Sequence, residues 1–149
     1  MAIKDDISVK LKDAMLKRDE FLTGVLRDLK SAILNEEIKQ VKRDEGLNDE
    51  EILLVIAKQV KQRDDSIEIY QNAGDTKRAE KEMAERKILK EFLPESLSEE
   101  ELRKIIKEVI DANDFTIKDM GRVIGSVKKE VGIRGDGALI AKIVKELLA

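Results

Sequence analysis

The chain has 149 residues, of which 42% are hydrophobic and 41% charged, with a formal net charge of −3. It contains no cysteine and no histidine. That excludes disulfides, thiolate zinc sites, thiol nucleophiles and an imidazole base working near neutral pH. No apolar run reaches the ~18 residues a membrane-spanning helix needs. The start, Met1-Ala2-Ile3-Lys4-Asp5-Asp6, is acidic and has no apolar leader, so a cytoplasmic protein that does not enter the membrane is expected.

Only Phe21, Tyr70, Phe92 and Phe115 are aromatic. The core must therefore be aliphatic. Its pattern is helical almost throughout. Ile7, Leu11, Ala14 and Met15 mark a first helix. Leu22, Val25, Leu26, Leu29 and Ile33 mark a second, which is expected to extend through Ile38 towards Val41. Gly46 is expected to end it. Asn48, with Glu51 three residues on, predicts a capping box opening a third helix that runs to about Tyr70. Asn72-Ala73-Gly74-Asp75 is a turn, and Ala79, Met83, Ile88, Leu89 and Phe92 form the stripe of a fourth helix.

The only proline, Pro94, pushes Leu93 out of the helical region and should stop that helix. Ser98 with Glu101 predicts a capping box for a fifth helix, Thr116 with Asp119 caps a sixth, and Asp136 a seventh. No strand-like alternation occurs. The expectation is an all-α fold, with an N-terminal long-helix domain at 1–93 and a small C-terminal three-helix bundle at 98–149, whose short connections suit a bundle.

Candidate chemistry is sparse. Asp49-Glu50-Glu51, Asp64-Asp65 and Glu99-Glu100-Glu101 have the residue type for Mg²⁺ or acid–base work. Two of these clusters fall in first turns, where acids complement the helix dipole, and that role is expected. Lys61 and Asp65, four residues apart, predict an ion pair on a solvated face; Arg63 beside them is a second candidate binding residue. There is no G-x-S-x-G motif, and no triad is complete without histidine. No catalytic residue, metal ligand or cofactor is assigned.

The last third differs from the rest. Gly121, Gly125, Gly132, Gly135 and Gly137 are five of the eight glycines. From Thr116 onward there are seven Lys/Arg (118, 122, 128, 129, 134, 142, 145) against four acids (119, 130, 136, 146), a net of +3. The turn Gly132–Gly137 is neither a P-loop nor a dinucleotide fingerprint. Two readings stay open. Its amides open a helix N-terminus that attracts phosphate, with Arg134 as a planar cationic fork; or it is a tight turn whose amides Asp136 occupies. Gly121 and Gly125, one turn apart, suggest a close approach by another helix. The candidate nucleic-acid-binding residues are Arg122, Lys128, Lys129, Arg134, Gly135, Gly137 and Lys142.

Lys61-Gln62-Arg63-Asp64-Asp65-Ser66-Ile67, then Tyr70…Ala73-Gly74, Glu85…Leu89…Phe92-Leu93-Pro94…Leu97-Ser98, Asp119-Met120-Gly121…Gly125 and Gly132…Asp136-Gly137 form an ordered series over essentially the whole chain. It resembles the YqeY-like family. That family shares its fold with the C-terminal tail of the B subunit of glutamyl/aspartyl-tRNA amidotransferase, so the resemblance implies a helical N-terminal part followed by a three-helix bundle. In the amidotransferase the tail helps hold tRNA, while the chemistry belongs to a cradle domain with no counterpart here. The resemblance therefore implies a non-enzymatic tRNA- or RNA-binding accessory module. The alternative is a helical protein-interaction module that docks a protein partner through the N-terminal helices. A component of a carbon–nitrogen ligase system with glutamine as amido-N-donor is a third reading, without catalytic residues to carry it. The chain departs from the usual family turn, which tends to have alanine where Gly135 stands. A more flexible loop is expected from that change.

Overall fold

The structure, a computed structural model, describes residues 2–149. Among them are seven α-helices and no strand: α1 Ile3–Leu16, α2 Glu20–Lys39, α3 Asp49–Asn72, α4 Thr76–Lys90, α5 Glu99–Asn113, α6 Met120–Val131 and α7 Gly137–Leu148. The fold is all-α. The chain divides into two compact units, the first ending at Leu93 and the second running Pro94–Ala149.

In the first unit, α1 packs on α2, and α3 with α4 forms a long antiparallel hairpin against which α2 lies. The shared core is aliphatic: Ile7 from α1, Val25, Leu29 and Ile33 from α2, Ile52, Ile56 and Val60 from α3, and Leu89 from α4. Fully burying a side chain of this kind is worth about 1.5–3 kcal/mol. The helix starts follow local chemistry. Asp19 accepts from the Leu22 amide at 3.0 Å, and Asp75 from the Arg78 amide at 3.2 Å. The Asn48 box forms in both directions, at 2.9 Å to the Glu51 amide and 3.2 Å from the Asn48 amide to the Glu51 carboxylate.

The end of α2 differs from expectation. The helix stops at Lys39, well before Gly46. Val41 takes the left-handed position instead, with φ +57°. Its amide bonds to the Ile38 carbonyl at 3.1 Å, and the Lys42 amide bonds to the Glu37 carbonyl at 2.7 Å. This is the hydrogen-bond pattern of a Schellman stop, which usually carries glycine at that position. The α3–α4 turn makes the same kind of stop with Gly74 at φ +74°.

Glu37 explains why the chain turns there. It is 3% exposed. One carboxylate oxygen accepts from Lys4 Nζ of α1 and from the Leu47 amide before α3, each at 2.9 Å. A Cβ on Gly46 would lie 3.0 Å from that same oxygen, and Gly46 has φ +74°. Glycine is required there twice over, by conformation and by approach.

The polar run in α3 pairs across the hairpin. Arg63 Nε lies 2.9 Å from Glu85 and 3.4 Å from Glu82, and Arg86 bonds Asp64 at 2.6 Å. Neither Lys61 nor Asp65 forms an ion pair among the described residues, so the expected pair within α3 is replaced by pairs to α4. Glu82, Glu85 and Arg86 lie on one stripe of α4 and meet the facing stripe of α3.

In the second unit α5, α6 and α7 pack pairwise around Leu102, Ile106, Val123, Val127, Ile140, Ile143 and Val144. Ser98 Oγ accepts from the Glu101 amide at 3.1 Å, but the reverse bond of the expected box does not form. Thr116 and Asp119 open a 3₁₀ turn at Ile117–Asp119 rather than α6 itself. Gly132 ends α6 at φ +58°. Gly135 is held by packing: a Cβ there would collide with Val131 Cγ2 and stand 3.0 Å from Ile140 Cδ1. The loop is therefore closely packed at this glycine, where added flexibility was expected.

Two outcomes follow. The Glu37 carboxyl is held below the usual carboxylate range, chiefly by the hydrogen bond from Lys4, with burial opposing. A lowered folded pKa gives stability that is present above the unfolded titration range and lost as pH falls through the folded value. Glu37→Gln should cost about 1.5–3 kcal/mol at pH 7, and chemical denaturation at stepwise lower pH should show the gap to wild type closing. Separately, Gly135→Ala should destabilise the second unit by about 1–3 kcal/mol through overpacking. A double-mutant cycle with Val131→Ala should show a coupling above about 0.5 kcal/mol.

Candidate nucleic-acid interface

The buried stripe of α6 is Val123, Val127 and Val131. At 100° per residue, Arg122 and Lys129 fall almost in line with one another on the opposite, solvent face. Gly121, Gly125 and Ser126 lie around them, all exposed. A Cβ on Gly121 or Gly125 would meet nothing within 4 Å. No helix approaches those glycines, so the expected close packing does not occur; they make a low surface between cations instead.

Lys128 lies on the flank of α6 nearest α7. A Cβ on Gly137 would be 3.5 Å from Lys128 Cε and 3.6 Å from its Nζ. The structure thus brings Lys128 and Gly137 together at the start of α7. Lys142 is exposed further along α7. None of the seven cations from Lys118 onward has a carboxylate within ion-pairing distance among the described residues. The second unit as a whole has ten Lys/Arg and eleven Asp/Glu over residues 94–149. Its positive character is a matter of placement: six of those acids, Glu99, Glu100, Glu101, Glu108, Asp111 and Asp114, belong to α5 and its C-cap.

The N-terminus of α7 is occupied from within. Asp136 Oδ1 accepts from the Ala138 amide at 2.8 Å and the Leu139 amide at 3.3 Å. Of the two readings of the glycine turn, the tight turn with Asp136 on the amides describes the geometry. Arg134 is engaged as well. Its Nε donates to the Glu95 carbonyl at 3.3 Å, and its own carbonyl accepts from the Leu97 amide at 2.8 Å. This two-way contact ties the segment after Pro94 to the glycine turn. Sequence spacing gave no signal for it, since the partners are nearly 40 residues apart.

One further ion pair braces the bundle: Arg103 of α5 reaches Glu99 at 2.9 Å and Glu146 of α7 at 2.5 Å. The hydrogen bond from Arg103 holds Glu146 below the usual carboxylate range. Among the described residues no helix is long and apolar enough to cross a membrane.

Two curated relatives are both named "Altered inheritance of mitochondria protein 41, mitochondrial". The one from Clavispora lusitaniae is 31% identical over 134 residues, covering 87% of this chain and 74% of its own. The one from Pyrenophora tritici-repentis is 24% identical over 147 residues, covering 95% and 78%. Their names correct the cytoplasmic expectation. It rested on the lack of an apolar leader, and the relatives this chain matches are called mitochondrial. The Yqey-like protein family matches residues 4–148. With that match spanning the first helix to the last, and with the ordered motifs of both units present, the chain belongs to the YqeY-like family.

Proposed function

We propose that the second unit is a non-enzymatic RNA-binding module that takes tRNA-like RNA through its phosphates. The observation that carries this reading is the solvent face of α6. Arg122 and Lys129 stand in line there, with Gly121, Gly125 and Ser126 leaving the backbone low around them. Cations without internal partners keep their charge available, and a low surface lets a phosphate chain approach. The resemblance to the amidotransferase tail supports the same reading. With four aromatic residues in the chain, base stacking is a minor contributor. Recognition then rests on phosphate charge and RNA shape, and is tolerant of sequence.

The candidate residues divide by role. Arg122, Lys128, Lys129 and Lys142 are the phosphate contacts. Arg134, Gly135 and Gly137 hold the turn that sets α6 against α7. A helix-terminus phosphate site at α7 is not part of the reading, because Asp136 fills those amides.

Binding of a mixed tRNA preparation, followed by fluorescence anisotropy across a salt series, tests this. Three to five phosphate contacts should give a log–log slope of roughly −2 to −5. Arg122→Ala with Lys129→Ala should make the slope shallower by roughly 1.5–2 and weaken all tRNA sequences alike. The exposed pair Lys12→Ala with Lys77→Ala, in the first unit, should leave the slope unchanged; equal losses from both pairs would reduce the site to diffuse attraction. Arg134→Ala should behave differently, lowering the stability of the second unit by about 0.5–1.5 kcal/mol for its lost hydrogen bond with a small effect on the salt slope.

A further inference from the structure

We infer that Ser126 makes the α6 face select RNA over DNA, by accepting a hydrogen bond from a ribose 2′-hydroxyl that lies between phosphates held by Arg122 and Lys129. The assignment rests on the phosphate reading proposed above and adds the residue that reads the sugar.

Ser126 is the only hydroxyl side chain of α6. It lies four residues after Arg122 and three before Lys129. At 100° per residue it stands within about 40° of Arg122 and about 60° of Lys129, on the same solvent face. All three are exposed. The two cations are about 10 Å apart along the helix axis, with Ser126 between them. Their arms are long, whereas the serine oxygen stands one bond beyond Cβ. Phosphates held at the arm tips are kept away from the backbone. What reaches Ser126 is the part of the ligand between those phosphates, and along an RNA strand that part is the ribose. Gly125 beside it has no side chain to cover the hydroxyl, and a Cβ there would meet nothing within 4 Å.

Charge decides which ligand group Ser126 takes. Glu130, one turn further on, is exposed and has no ion-pair partner among the described residues. It stands about 40° from Ser126, on the side away from Lys129. A carboxylate there repels phosphate and favours a neutral donor. The 2′-hydroxyl is such a donor, and it is the group that DNA lacks. The serine oxygen is also open to it. A serine inside a helix often bonds the carbonyl four residues back, here that of Arg122. That bond is absent among the described residues, where Asn113 shows the corresponding one to Val109 at 2.9 Å.

The full chain and two RNA hairpins of one sequence test this, one hairpin unmodified and one with 2′-fluoro riboses. The fluorine keeps the A-form geometry and removes the donor. Fluorescence anisotropy at fixed salt should show the unmodified hairpin bound about two- to tenfold tighter. Ser126→Ala should weaken binding of the unmodified hairpin by that factor and bind both hairpins alike. Its salt slope should not change, because no phosphate contact is lost. Alanine is the best helix former, so circular dichroism should show the helices intact. Ser31→Ala, at an exposed site on α2, should keep both affinity and preference. Ser126→Thr, which retains the hydroxyl, should keep the preference; its loss there as well would tie the effect to shape and overturn the assignment. Equal wild-type affinity for the two hairpins, or a preference that survives Ser126→Ala, overturns it and leaves the phosphate reading standing. A shallower slope in Ser126→Ala gives the serine to phosphate and overturns it too. Absence of salt-dependent binding removes the phosphate reading and this assignment together.

Discussion

A single buried carboxylate organises the first unit. Glu37 is the only charged residue buried to this depth among the described residues. A charge taken out of water is tolerated only when its hydrogen-bonding capacity is met. Here Lys4 and the Leu47 amide meet it. Those two partners come from the first turn of α1 and the approach to α3, so satisfying one side chain brings three helix ends to one point. The constraint propagates outward. The chain must leave α2 abruptly to return Leu47 to Glu37, which places Val41 in the left-handed region. It must also pass Gly46 close to the carboxylate, where a Cβ would stand 3.0 Å from the oxygen and φ +74° favours glycine.

The second unit solves its corresponding problem without a buried charge. Its helices are short and its core wholly aliphatic, so orientation is set at the turns. Gly135 permits Val131 and Ile140 to close over the turn, and Asp136 satisfies the amides that a helix start leaves open. Arg134 fastens the segment after Pro94. These contacts leave α6 with one face committed to the core and the other carrying cations that have no ion-pair partner among the described residues. The function proposed above works through that second face.

The proposed activity lies in the second unit. In the proposed reading the α6 face binds by charge, so its affinity falls with salt and varies little with RNA sequence.

The sequence by itself determined the all-α class, the break at Pro94, the starts of α3, α5 and α7 at Asn48, Ser98 and Asp136, and the family. These depend on local chemistry: a 3.6-residue period, a capping side chain three residues from its amide, a proline that cannot continue a helix. It also marked the cations of the last third, because charge is a property of composition. What tertiary structure decided is everything that depends on partners far apart in the chain. Lys61 and Asp65 had the right local spacing for a pair, yet the facing stripe of α4 supplied Arg63 and Asp64 with partners instead. Gly121 and Gly125 had the spacing of a packing motif, yet α6 turns that side to solvent. Arg134 looked like a free fork and is bound to a carbonyl 39 residues away. Glu37 gave no local sign at all. Its role rests on burial, and burial is decided only when α1, α2 and the start of α3 close around it.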